Sequence, residues 1–244
     1  MSLAVIYLRT GGAFYDTFIE SYLKHVPGYS HNLWLAWKTK ETYQTSYNAV
    51  RVPLKGYSLR SFHEAAKLLT HYEYLCFLNS HSIILADNWL DKLMFGMTLP
   101  NAGIVGCTGS NESFSSNNPG FINSLLFHKF PNPHIRTNAF IMRRDIFMKV
   151  WPRGFKYKYQ EHIFESGKLG LTKRLKLLGL KAYVMGQNGL SYDETQFSFS
   201  GTFRAGFQEN LLVGDNQTKA FASASHDERI YLMSVTHGIP NVYE

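Results

Sequence analysis

The chain has 244 residues, 45% of them hydrophobic, with a formal net charge of +7. Those values exclude a disordered or fibrous chain and fit one globular domain. The positive balance suits an anionic partner, but there is no run of five basic residues, no clustered basic helix and no recognition motif, so nucleic-acid binding is not expected.

Leu3 to Leu8 is an unbroken apolar run that reads as a buried strand, ended by Arg9-Thr10-Gly11-Gly12. Phe14, Phe18, Tyr22 and Leu23 recur at helical spacing up to His25, and Pro27-Gly28 closes that element. Asn32 to Trp37 is a second strand. Val50 to Leu54 is a short third run, with Pro53 marking its end or a sheet edge. Leu59 to Thr70 predicts an amphipathic helix through Leu59, Phe62, Ala65, Ala66 and Leu69. Tyr74 to Leu78 is a buried strand that breaks at Asn79-Ser80-His81-Ser82. Ile83 to Leu85 is a second apolar run, and a helix capped near Asp87 follows to Leu99.

Ala102 to Thr108 is another strand, and Gly109 to Gly120, rich in Ser and Asn, reads as a mobile loop. His134 to Met142 reads as one strand, followed by Arg143-Arg144 in an exposed turn and a helix over Ile146 to Trp151. Glu161 and Glu165 precede a helix carrying Leu171, Leu175 and Leu178, which Gly179 terminates, and Leu180 to Met185 is a further strand. The last third is less regular. It carries Phe197, Phe199 and Phe203, then helical pieces at Ala220 to Ala224 and Arg229 to Val235, and could fold over a site as a lid.

Strands and helices alternate about every 30 residues, the mark of an α/β fold with an open, mostly parallel, twisted sheet and helices on both faces. Ligands collect at the carboxyl ends of such strands, so the polar corner at Asn79 is a candidate site. Gly11-Gly12 lacks the dinucleotide and P-loop patterns and reads as a tight turn or a weak phosphate cradle. Arg143-Arg144 and Arg153 to Lys158 read as solvated basic surface. Cys76 and Cys107 sit in apolar runs and read as buried free thiols in a reducing compartment. No signal-type segment opens the chain and no stretch approaches a membrane span, so a soluble cytoplasmic protein is expected, with peripheral contact at the inner face of a membrane left open.

The succession of apolar strand, polar cluster, short apolar run and a helix with Trp89-Leu90 resembles the DxD region of GT-A fold glycosyltransferases. Two further stretches are similar to that family. NAFIMRRDIF, residues 138–147, resembles a strand on the acceptor side. Glu161 and Glu165, followed by a helix with Arg174, then Leu178-Gly179-Leu180-Lys181 and a strand, resemble the segment bearing the base of inverting, family-2-like members. The resemblance implies a single domain: residues 1–108 as a nucleotide-binding half, 109–190 as an acceptor-side half and 191–244 as an extension or lid. It implies transfer of a sugar from a nucleotide-sugar donor to a glycan or lipid-linked glycan acceptor, in a setting such as bacterial surface-polysaccharide synthesis. Glu165, or else Glu161, becomes the base. Arg9, Thr10, Lys38, Asn79 and His81 become donor-side candidates, and Arg136, Thr137 and Asn138 acceptor-side candidates. The family holds Mn or Mg on carboxylates at the polar corner. Asn79 and His81 stand there instead, and an amide and an imidazole suit hard cations poorly. No metal ligand is therefore assigned; Arg9, Lys38 or Arg136 would offset the leaving diphosphate. The missing carboxylates also raise an alternative, a GT-A-like scaffold that binds or assembles without catalysis.

Overall fold

The computed structural model describes residues 1–40, 45–155 and 157–238. Lys156 of the second basic cluster lies outside them. In chain order the elements are β1 (Leu3–Arg9), α1 (Phe14–Lys24), β2 (Asn32–Trp37), β3 (Asn48–Arg51), α2 (Ser58–Leu68), β4 (Tyr74–Leu78), β5 (Ile83–Ile84) and α3 (Trp89–Gly96). Then come β6 (Ala102–Gly106), β7 (Gly109–Ser110), α4 (Phe114–Asn117), α5 (Phe121–Leu126), β8 (His134–Ile135), β9 (Ala139–Arg143), α6 (Arg144–Val150) and α7 (Lys158–Ser166). The remainder is α8 (Leu171–Leu177), β10 (Lys181–Met185), β11 (Ser191–Tyr192), β12 (Val213–Gly214), α9 (Asn216–Ser223) and α10 (His226–His237).

Eight strands form one sheet in the order β11-β10-β6-β9-β4-β1-β2-β3. All neighbours are parallel except β9, antiparallel to β4 and β6, and β11, antiparallel to β10. β1 reads as a continuous apolar run because both of its faces are covered. Leu3, Val5 and Tyr7 join the core under α1 and α3, while Ala4, Ile6 and Leu8 join the core under α2, α6, α7 and α8. Alternation of side chains along a strand makes this division. The second core is knit by stacked and tilted rings: Phe77 lies 5.0 Å from Phe62, 4.9 Å from Phe140 and 4.8 Å from Phe147, centroid to centroid. Cys76 and Cys107 are free and buried, and burial pushes both thiols above their ordinary range.

Several boundaries differ from the sequence reading. The third strand starts earlier, at Asn48, and ends before Pro53; it is the sheet edge. Asp87 does not cap α3: its Oδ1 accepts the Val26 N–H at 2.9 Å, and Asn88, in the left-handed region at φ 56°, leads into a helix that ends at Gly96 rather than Leu99. The Ser/Asn-rich stretch is not a bare loop. It contains β7 and α4, and Ser110, Ser113 and Ser115 are buried. The run from His134 to Met142 is two strands, because the polar side chains of Arg136, Thr137 and Asn138 turn the chain out of the ladder: β8 pairs with β7, whereas β9 pairs with β4 and β6. Glu161 and Glu165 lie within α7 itself rather than in a turn before a helix. Arg143 and Arg144 do not form a turn: Arg143 ends β9, is exposed as expected and pairs with Asp145 at 3.0 Å, whereas Arg144 opens α6 and is half-buried, its Nε donating to the Ala66 carbonyl at 2.8 Å.

Candidate functional site

The chain leaves β1 for β2 and β3 on one side, then returns to β4 on the other. A reversal of this kind opens a crevice at the strand carboxyl ends, where open α/β sheets bind ligands. Because β9 is antiparallel to β4, its first residues lie at that same edge, and the Asn79 N–H donates to the Asn138 carbonyl at 2.8 Å. A cleft of about 490 Å³ opens here. It gathers six of the expected residues: Asn79, Arg136, Thr137, Asn138, Glu161 and Glu165.

Arg9, Thr10, Lys38 and His81 do not line this cleft. They follow β1, β2 and β4 on the same edge of the sheet. The Arg9 guanidinium lies 4.6 Å from the Tyr15 ring centroid and 5.5 Å from that of Trp37. The Lys38 ammonium donates to the Gly56 carbonyl, and burial lowers its pKa, with Glu161 pulling the other way. The His81 ring packs edge-on against Phe14.

α7 places Phe164 in the core and sets the two carboxylates one turn apart, so that both face the cleft. Glu165 Oε1 accepts the Thr137 N–H at 2.6 Å and the Thr137 hydroxyl at 3.0 Å. Its Oε2 has no hydrogen-bond partner among the described residues. Glu161 Oε1 accepts the Leu59 N–H in the first turn of α2 at 2.8 Å. Burial raises the Glu161 pKa to about 7, against the opposing pull of the Leu59 N–H and Lys38. One helix face thus carries two carboxyl groups in different environments, an arrangement suited to proton transfer.

The far wall comes from the region expected to fold over a site, although none of its residues was singled out as a site residue. Arg204, Asp215, Asn216 and Gln217 come from the irregular last third. Asp215 is the keystone of that wall. Its Oδ1 caps α9 by accepting the Thr218 N–H at 2.9 Å, while its Oδ2 pairs with Arg136 Nη2 at 2.9 Å. Burial alone would raise the Asp215 pKa, but the Arg136 charge and the Thr218 N–H outweigh it, and the net shift is downward. The spacing Asp215-x-x-Thr218 was the legible signal, a capping box ahead of a helix. His134 also lines the cleft, and burial lowers its pKa. Its Nδ1 donates to the Asn132 carbonyl at 2.7 Å.

The polar corner does not suit Mn or Mg. Asn79 Oδ1 is used within its own turn, accepting the His81 N–H at 2.9 Å and the Ser82 hydroxyl at 3.2 Å. No group of three or more His, Cys, Asp or Glu side chains that could hold a metal occurs among the described residues.

No family model matches the chain, and no curated protein does. Among solved structures, the chain is similar to CMP:2-keto-3-deoxy-manno-octonic acid synthetase complexed with CTP. That likeness spans 76% of this chain and 89% of the other, at 11% identity and a TM-score of 0.48. A likeness so distant decides nothing about the reaction, and the fold stands on its own strand order.

Proposed function

We propose that this chain is a glycosyltransferase. It moves a sugar from a nucleotide-sugar donor to the hydroxyl of a glycan or lipid-linked glycan acceptor, with inversion. The observation that carries the reading is the Glu161/Glu165 pair facing a polar cleft at the carboxyl edge of β4. The acceptor oxygen bonds to the anomeric carbon as the bond from that carbon to the nucleotide diphosphate breaks, and the hydroxyl proton passes to Glu165. Thr137 holds one Glu165 oxygen and leaves the other for the acceptor. Donor contacts fall to Arg9, Thr10, Lys38, Asn79 and His81 along the edge after β1, β2 and β4. Arg9, Lys38 or Arg136 offsets the charge of the leaving diphosphate.

No helix among the described residues is long and apolar enough to cross a membrane. Peripheral contact finds support in α5, which buries none of its residues: Phe121 is 79% exposed, Ile122 65% and Leu125 56%. Lys168 Nζ donates to the Ser124 carbonyl of α5 at 2.8 Å and Lys129 follows three residues after the helix, a combination suited to an anionic lipid surface.

The test is a thermal-shift panel of nucleoside diphosphates and their sugars, followed by turnover with Mn and with EDTA. A shift with one nucleotide and turnover of its sugar that persists in EDTA is expected. A many-fold rise in turnover on adding Mn would overturn the metal-free account. The scaffold reading draws on the same corner, where Asn79 and His81 replace carboxylates. Donor binding without turnover under every condition would favour it.

A further inference from the structure

Three buried donors have no acceptor among the described residues: Arg136 Nη1, Asn138 Nδ2 and Arg204 Nε. All three residues line the cleft. The two guanidiniums share one ring, with their carbons 3.6 Å and 4.7 Å from the centroid of Phe203, which is itself buried. One further nitrogen of each guanidinium is engaged. Arg136 Nη2 holds Asp215, and Arg204 Nη1 donates to the Thr236 hydroxyl at 3.2 Å and lies 3.6 Å from Glu112 Oε1. A buried donor without an acceptor is destabilising, since it has given up its hydrogen bond to water. A fold that gathers three of them beside one cleft has a use for them when the cleft is filled.

We propose that this end of the cleft binds an anionic oxygen group, a carboxylate or a phosphate, carried by the substrate. Guanidinium forks match the paired oxygens of such groups, and the Asn138 amide supplies a further N–H. The place in the fold favours the acceptor side, since the donors come from the β8–β9 connection and the C-terminal wall rather than from the ends of β1 and β2. The inference rests on the transferase reading only in calling that ligand an acceptor; the anion site itself does not depend on transfer.

The experiment is calorimetry on the whole chain with glucuronate, glucose 6-phosphate and glucose as sugar probes, and uridine and guanosine diphosphates as nucleotide probes. Each is titrated into the wild type, Arg204→Gln and Arg204→Lys; the lysine variant keeps the charge should the glutamine variant fold poorly. The expected result is binding of the acidic sugars but not glucose, weakened about tenfold or more in both variants, with nucleoside diphosphate binding unchanged. Loss of nucleoside diphosphate binding instead would keep the anion site and make the donor diphosphate its ligand. Equal behaviour of acidic and neutral sugars, or no effect of either variant on any anion, would overturn the proposal. Anion binding that survives while no donor supports transfer would sink the transferase reading and leave this site standing.

Discussion

Glu165 and Glu161 share a helix face, yet their surroundings assign them different work. Glu165 is oriented by two donors from Thr137. Replacing it with Gln keeps the shape and removes the base, so turnover should fall about 100- to 10,000-fold while nucleotide binding stays the same; parallel kinetics and calorimetry would check both. Glu161 is different because burial lifts its pKa from 4.5 to about 7. Between those values the folded chain keeps a proton that the unfolded chain releases. Stability therefore falls as pH rises through that window, and the penalty is complete above about pH 7. Glu161→Gln should then be more stable than the wild type at pH 8, by on the order of 3 kcal/mol at most, and nearly equal to it below pH 4.5. Denaturant titrations at the two pH values would show it; a variant equally shifted at both would remove the buried-carboxylate account.

At the scale of elements, the site depends on breaking one expected strand in two. Arg136, Thr137 and Asn138 leave the ladder between β8 and β9, and Arg136 reaches across to Asp215 at the head of α9. That pair has side-chain exposures of 10% and 1%. Removing one partner of such a pair strands the other charge, which costs about 3–5 kcal/mol. Arg136→Met should lower the unfolding midpoint accordingly, whereas the double change with Asp215→Asn should recover part of the loss. The Asp215 pKa is depressed, so its contribution is present above the ordinary carboxyl range and is lost as pH falls through the lowered value. The individual strands were readable because each is an apolar run or an alternation. The break was not, because Ile135-Arg136-Thr137-Asn138 looks like part of one strand until β7 takes the residues before it and β4 and β6 those after it.

Across the whole molecule, α5 exposes the apolar side chains of Phe121, Ile122 and Leu125, and Lys168 lies against it through the Ser124 carbonyl. If that face meets a membrane, the protein should co-sediment with anionic vesicles at low salt. Changing Phe121, Ile122 and Leu125 together to Ser should abolish the association without altering nucleotide binding. Equal sedimentation of both proteins, or of neither, would remove the membrane contact from the proposal.

The sequence by itself determined the layered α/β architecture, since hydrophobic periodicity is a local property and each strand or helix announces its own buried faces. It also marked Asn79, because a polar group at the end of an apolar run stands out locally, while Glu161 and Glu165 were marked by resemblance to a family segment. Only the tertiary structure decided which of the marked residues meet. The antiparallel insertion of β9 brings Thr137 to Glu165 and Asn138 to Asn79, and it leaves Arg9, Thr10, Lys38 and His81 beside the cleft rather than in it. It also decided that Arg204 and Asp215 wall the site. Their contacts join residues far apart in the chain, and the pairing of a buried charge depends on where the chain returns, which no local pattern encodes.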